Sequence, residues 1–318
     1  MQESGGLSAG ACTIRPYHRR HRDQVLELLR ADCLPGQFPP GTGTLADALA
    51  GRCLDGHPQI HGADRPVTDV LFDARGHVAG AVCYALQPRQ RAGHVLWAHA
   101  GEDFAAMAVL VSWARSRLGT GRPWYAFAGF PAAGPAVAGL PCAFRPATAK
   151  ALHAAGFTPL TGQHYWHRDI GPHLVDQEPG THDADPVPRP AGWSLRTGDG
   201  PAGAEALMDA PRQGIAHLHG LTLHGGGNGL HTLHEDPGRR LIARCLRQAA
   251  LCAATGMTAV TDTADPDDPV CRLLDEYGFT LLDAFTVHHR PAAKPPARFG
   301  RAHGALPDPA GQHAPGHP

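Results

Sequence analysis

The chain is short of charge and of aromatic rings. Asp, Glu, Lys and Arg make up 18% of its 318 residues and Phe, Trp and Tyr 6%, against about 25% charged residues in an ordinary soluble domain. Its 28 basic and 29 acidic residues nearly cancel, to a formal net charge of −1. That balance leaves no broad electrostatic footprint for a nucleic-acid backbone or an anionic membrane. No apolar run approaches the roughly 18 residues that span a bilayer; the longest, residues 104–114, covers 11. The opening MQESGGLSAGAC has neither a basic stretch nor an apolar core, so no secretory leader is expected. The eight cysteines form no C-x-x-C pair, and buried, reduced thiols in a cytoplasmic protein are expected rather than a disulfide framework. A G-x-S-x-G elbow and a G-x-x-x-x-G-K-[ST] loop are both missing.

What the chain does have is Gly, Pro and His, at 39, 30 and 22 residues, and 42% hydrophobic residues, enough for a sizeable core. A strand over 12–17, closed by Pro16, leads into an amphipathic helix with Val25, Leu26, Leu28 and Leu29 on one face. Residues 35–66 read as a Gly/Pro-rich loop around a short helix at 45–49. A hairpin over 67–72 and 78–86 follows, then a strand at 94–99, a helix at 104–118 and a strand at 124–127. A helix at 146–155 stops at Gly156, and a strand pair at 157–160 and 164–167 ends the unit. Residues 171–192, with five prolines, read as a linker.

A second unit begins with a strand at 193–197 and a helix around 204–208. The His- and Gly-rich segment 214–234 reads as two short strands joined at 225–229. A helix at 238–254, a strand at 259–262, a helix at 269–276 and strands at 279–282 and 285–289 complete it; 291–318 reads as a tail without a core-forming pattern. The two units echo each other. Each ends in a short helix running into Gly-Phe and then strands, Ala-Leu-His-Ala-Ala-Gly-Phe157 in one and Leu-Leu-Asp-Glu-Tyr-Gly-Phe279 in the other.

This order resembles the GNAT acyltransferase superfamily in tandem. The resemblance is carried by Ile14-Arg15-Pro16 before an Asp23-containing helix, by the Gly-Phe ending that occurs twice, and by His234-Glu-Asp-Pro237 leading into Gly238-Arg-Arg-Leu-Ile-Ala-Arg-Cys-Leu246. It covers nearly all of 12–290. It implies an α+β fold of two GNAT-like domains, each a mostly antiparallel central sheet flanked by helices: 12–170, a scaffold copy that binds no CoA; 193–290, a shortened copy lacking its central hairpin. It also implies transfer of an acetyl or other acyl group from acyl-CoA to the amine of a small molecule. In such a fold the amides at the N-terminus of a helix hold the CoA pyrophosphate.

Both copies depart from the family's glycine-rich phosphate loop. At Ala100-Gly-Glu-Asp-Phe104 two carboxylates stand where phosphates would sit. In the second copy Gly238 remains, followed by Arg239 and Arg240, and the resemblance implies a donor site of Leu233, Gly238, Arg239, Arg240 and Leu241. Leu152 and Leu274 occupy the positions of the family's general-acid Tyr. His231, His234 and Glu235 are the candidate catalytic bases, since an imidazole titrating near neutrality suits deprotonation of an ammonium; Glu235 and Asp236 equally suit helix capping. The co-substrate is acetyl-CoA and the partner a small-molecule amine. No metal is expected, because the histidines at 217, 219, 224, 231 and 234 have no acidic or Cys ligand at a diagnostic spacing. No membrane or nucleic-acid partner is expected, and the oligomeric state is not legible. Two other readings stay open: a non-catalytic pseudo-acetyltransferase that binds a ligand or partner, and an aminoacyl-tRNA-dependent transferase.

Overall fold

In the computed structural model both units build one continuous sheet. The structure describes residues 12–34, 37, 40–52, 60–128, 138–171, 186–189, 192–197, 203–223, 235–262 and 265–292, with the backbone alone at 219, 235 and 236. The N-terminal half runs β1 (Thr13–Pro16), a short 3-10 turn, α1 (Arg22–Ala31), α2 (Thr42–Leu49), β2 (Val67–Phe72), β3 (Val78–Gln87), β4 (Ala92–His99), α3 (Phe104–Leu118), β5 (Trp124–Ala126), β6 (Leu140–Pro141), α4 (Pro146–Ala154) and β7 (Thr158–Asp169). The C-terminal half runs β8 (Val187–Arg189), β9 (Gly192–Thr197), β10 (Ala204–Asp209), β11 (Ile215–Leu223), α5 (Glu235–Leu251), β12 (Gly256–Thr261), α6 (Pro269–Glu276) and β13 (Thr280–Arg290).

The strand order is β1-β2-β3-β4-β5-β13-β7-β12-β11-β10-β9-β8, with β6 beside β13. The halves therefore exchange their last strands. β13 pairs with β5 of the first half, β7 pairs with β12 of the second, and β13 and β7 pair with each other at the centre. All three contacts are antiparallel.

Alternation along the strands sets two faces. On one, Val25, Leu26 and Leu29 of α1 and Leu45 of α2 pack with Ala81, Cys83, Leu96 and Trp97. On the other, Val82, Tyr84, Val95 and Ala98 meet Met107, Leu110, Val111, Leu152 and Phe157 from α3, α4 and the turn after α4. Tyr165 clusters with Leu34 just beyond α1, while its neighbour Trp166 turns the opposite way into the core of α5 and α6. So α3, α4, α5 and α6 share one face, and α1 and α2 lie on the other.

Local chemistry explains the helix boundaries. Asp103 caps α3 by accepting from the Ala106 amide at 3.0 Å, and Gly119 stops it at φ 97°. Asp268 caps α6 with Pro269 at its first position.

Several expectations change. Residues 204–208 form strand β10, not a helix; Ala204, Ala206 and Met208 are buried while Glu205, Leu207 and Asp209 are half-buried between them. With β10 in place, the second half keeps its hairpin. What it omits is the pair of helices between its first two strands, because β8 and β9 are separated only by residues 190–191. Each anticipated closing strand pair is one long strand, β7 and β13, the latter with a bulge near Leu282. Part of the expected linker is β8, and the remainder largely lies outside the described residues. Of segment 214–234, residues 215–223 form β11 and 224–234 lie outside the described residues, as does the tail from 293 on. No helix among the described residues is long and apolar enough to cross a membrane.

Candidate functional site

Two places in the sheet share one geometry. β4 and β5 pair in parallel over Gly93–Trp124, His94–Tyr125 and Val95–Ala126; a last bond runs from the Phe127 amide to the Val95 carbonyl at 2.9 Å. Beyond it β4 continues to His99 and β5 ends, so the strands diverge. β11 and β12 repeat this, paired in parallel from Ile215–Gly256 to Leu218–Ala259 and then parting. In each half the helix after the first strand, α3 or α5, starts beside the opening.

The opening in the first half is filled by the chain's own charges. Arg145, its side chain 3% exposed, reaches across from the start of α4. Its Nη2 donates to the Ala98 carbonyl at 2.8 Å and to Thr148 Oγ1 at 3.0 Å, and lies 3.1 Å from Asp32 Oδ2. Its Nε donates to Glu102 Oε1 at 3.3 Å, and Cζ stands 5.9 Å from the Phe127 ring centre. Asp32 also pairs with His99 Nδ1 at 2.7 Å. Glu102, in the left-handed region at φ 58°, accepts from the amides of Ala147 and Thr148 and so caps α4. Asp103 caps α3. The two carboxylates that stood at the phosphate position in the sequence thus both have structural partners.

Burial alone would raise the Asp32 carboxyl, but the hydrogen bond and charge of His99 and the charge of Arg145 hold it below its ordinary range. Burial and Arg145 push His99 down. The remaining cavity, lined by Asp32, Cys33, His99, Phe127 and Arg145, measures about 80 Å³, room for no more than a few water-sized molecules. Burial, with the Asp32 charge, pushes the Cys33 thiol up to about 11, so it is no nucleophile at neutral pH. Sequence reasoning found Glu102 and Asp103 here and missed Asp32, His99 and Arg145, which come from three separate elements.

In the second half the predicted donor residues divide. Gly238, on the second turn of α5, packs inward: a Cβ there would lie 2.6 Å from Leu273 Cδ1 and 2.9 Å from Leu223 Cδ2. Leu241 is fully buried in the core. Arg239 Nε donates to Glu276 Oε1 at 2.9 Å, joining α5 to α6, and Arg240 is exposed. Glu235 opens α5. His231, Leu233 and His234 lie outside the described residues, as does the side chain of Glu235. His217 is buried and hydrogen-bonds Thr258. Leu152 and Leu274, at the family tyrosine positions, are fully buried core; of the core thiols expected from the sequence at Cys245, Cys252 and Cys271, the first and last are buried, whereas Cys252, just past the end of α5, is only half-buried. Among the described residues no three His, Cys, Asp or Glu side chains gather as a metal site.

No family model and no curated protein sequence matches the chain. Solved structures do. A GCN5-related N-acetyltransferase from Sphaerobacter thermophilus is 12% identical over 89% of this chain and 98% of its own, with a TM-score of 0.50. A tandem GNAT protein from the clavulanic acid biosynthesis pathway is 14% identical over 90% of this chain and 100% of its own, at 0.51. A glucosamine N-acetyltransferase region of a fungal multi-domain GH3 beta-N-acetylglucosaminidase is 10% identical over 89% of this chain and 38% of that one, also at 0.51. At such identities a likeness speaks for the fold alone. The strand exchange, the paired openings and these neighbours together identify the chain as a GNAT fold in tandem arrangement.

Proposed function

We propose that the protein transfers an acyl group, acetyl in the simplest case, from acyl-CoA to the amine of a small molecule, with the donor held in the second half. The observation that carries this reading is the asymmetry between the two openings. The first is filled by the Arg145 network. In the second, the residue matching Arg145 at the head of the short helix is Asp268, which is committed to the Val270 and Cys271 amides at 2.8 and 3.2 Å.

In this reading the thioester lies between the diverging β11 and β12, with a β11 amide polarising its carbonyl. The phosphates lie toward the start of α5, where the helix dipole and the Arg239 and Arg240 charges favour them. The neutral amine attacks the thioester carbon, the carbon–sulfur bond breaks, and the ammonium proton passes to His231, His234 or Glu235. Because Leu152 and Leu274 are apolar, solvent supplies the proton to the leaving thiolate. The close packing of Gly238 and the ion pair of Arg239 instead favour a second reading, a non-catalytic copy of the fold.

Calorimetric titration of acetyl-CoA separates the two. Micromolar binding, weakened about tenfold or more in Arg239→Ala/Arg240→Ala, supports the transferase. No binding to the wild type overturns it in favour of the second reading.

A further inference from the structure

On the α1 face, at the end of β4 and β5 away from Arg145, lies a cleft of about 730 Å³, a size typical of small-molecule sites. Its floor crosses β4, β5, β13 and β7, from His94 past Tyr125 to Gln163, with Asp262 at the far rim. Three strand spacings separate β4 from β7, about 14 Å.

Two buried polar groups in this cleft lack partners among the described residues. His94 is 5% exposed, and neither of its ring nitrogens has a hydrogen bond. Gln87 Nε2 donates to the His61 carbonyl at 2.8 Å, but its Oε1 is buried and unpaired. A buried polar group left without a partner is destabilising, so two beside one cleft point to a ligand that meets them. The His94 ring is fixed, stacked on Tyr125 at 5.3 Å and 17°, and Tyr125 in turn contacts His289 at 4.8 Å. Burial pushes His94 down to about 4; it is neutral at pH 7 and presents one donor and one acceptor.

This inventory selects a chemistry. The ligand must give at least two donors, to His94 and to Gln87 Oε1, and one acceptor. A polyamine supplies donors only and a phosphate acceptors only, whereas neighbouring hydroxyls supply both. None of the described lining residues is Lys or Arg, so a phosphate would find no counter-charge among them. Asp262, the charged member of the described lining, accepts from Gln163 Nε2 at 3.4 Å and is exposed to an incoming ammonium. Leu160 and Val287 add apolar wall suited to the C–H face of a sugar ring.

We propose that this cleft is a binding site for a phosphate-free, hydroxylated ligand of about two saccharide rings, held through His94 and Gln87, with any amino group directed to Asp262. The site requires neither CoA nor an open second half, so it stands or falls independently of the transferase reading.

The test is calorimetry on the full chain without CoA, using a glucosamine disaccharide, cellobiose and spermidine as probes. Both disaccharides bind, the amino form about threefold tighter through its exposed ion pair with Asp262, and spermidine does not compete. His94→Phe keeps the stack on Tyr125 and weakens both disaccharides about tenfold. Gln87→Leu, at a less buried position, weakens them about fivefold. Asp262→Asn removes only the difference between the two sugars. The proposal is overturned if neither disaccharide binds at about 10 mM, if a folded His94→Phe binds as well as the wild type, or if spermidine displaces them.

Discussion

Arg145 bears charge in the interior and is surrounded by carboxylates that depend on it. Replacing it with Met preserves most of its volume but leaves Asp32 and Glu102 facing one another without a cation. Breaking one side of a buried pair costs about 3–5 kcal/mol, so Arg145→Met lowers the urea midpoint by that equivalent, and adding Asp32→Asn recovers part of the loss. Were the single change silent, the network would be decoration rather than a plug. His94 makes a prediction in pH. Its folded value, about 4, lies below the ordinary 6.5. Between those values the unfolded chain takes up a proton that the native ring refuses, so stability is full above pH 6.5 and falls as the pH drops toward 4. The span amounts to about 3 kcal/mol. His99, also lowered by burial and Arg145, adds loss of the same sign. Stability measured from pH 7 to 4 therefore has a shallower slope in His94→Phe than in the wild type.

Elements show where sequence reasoning reaches and where it stops. The helices α1, α3, α4 and α6 were legible because their apolar spacing and their stops, such as Gly156, are local signals. β10 was not, because Ala-Glu-Ala-Leu-Met-Asp is made largely of helix formers. Pairing on both sides, with β9 and β11, overrides that preference. The Arg145 network and the unpaired ring of His94 were illegible for a different reason: they join residues far apart in the chain, and no spacing records them. Gly238 falls between these cases. The sequence marked it as a phosphate-loop glycine, yet Leu273 and Leu223 leave no room for a methyl group there. Gly238→Ala gains about 1 kcal/mol of helix propensity and loses about 1–3 to overpacking. A net loss near 1 kcal/mol, read as a lower thermal midpoint, is expected; a higher midpoint would mean that the two leucines yield freely and that packing does not explain the glycine.

At the scale of the molecule, exchange of the last strands makes the halves interdependent. β13 covers the edge of β5 and brings Asp283 to accept from the Ala143 and Phe144 amides at 3.1 and 2.7 Å, which fixes the approach to α4. Phe285 of β13 and Tyr165 of β7 are buried together, 5.3 Å apart at the centre of the sheet. A chain cut after residue 171 keeps every element of the first half, but it exposes the edge of β5 and leaves β7 without either of its partners, β12 and β13, along with the apolar face that Phe285 covers. Such edges pair with other chains. The fragment is therefore expected to lack a cooperative unfolding transition and to associate, although it contains the α1 and α3 cores. Co-expression with a fragment spanning 172–318 restores β13 and with it a single transition, since neither half owns a complete sheet. A fragment 1–171 that unfolds cooperatively as a monomer would mean that the first half is an independent domain merely touched by β13. The expected failure, rescued in trans, makes the exchanged pair the element on which both openings depend, because each opening is bounded by a strand, β5 or β12, whose other edge is closed by the opposite half.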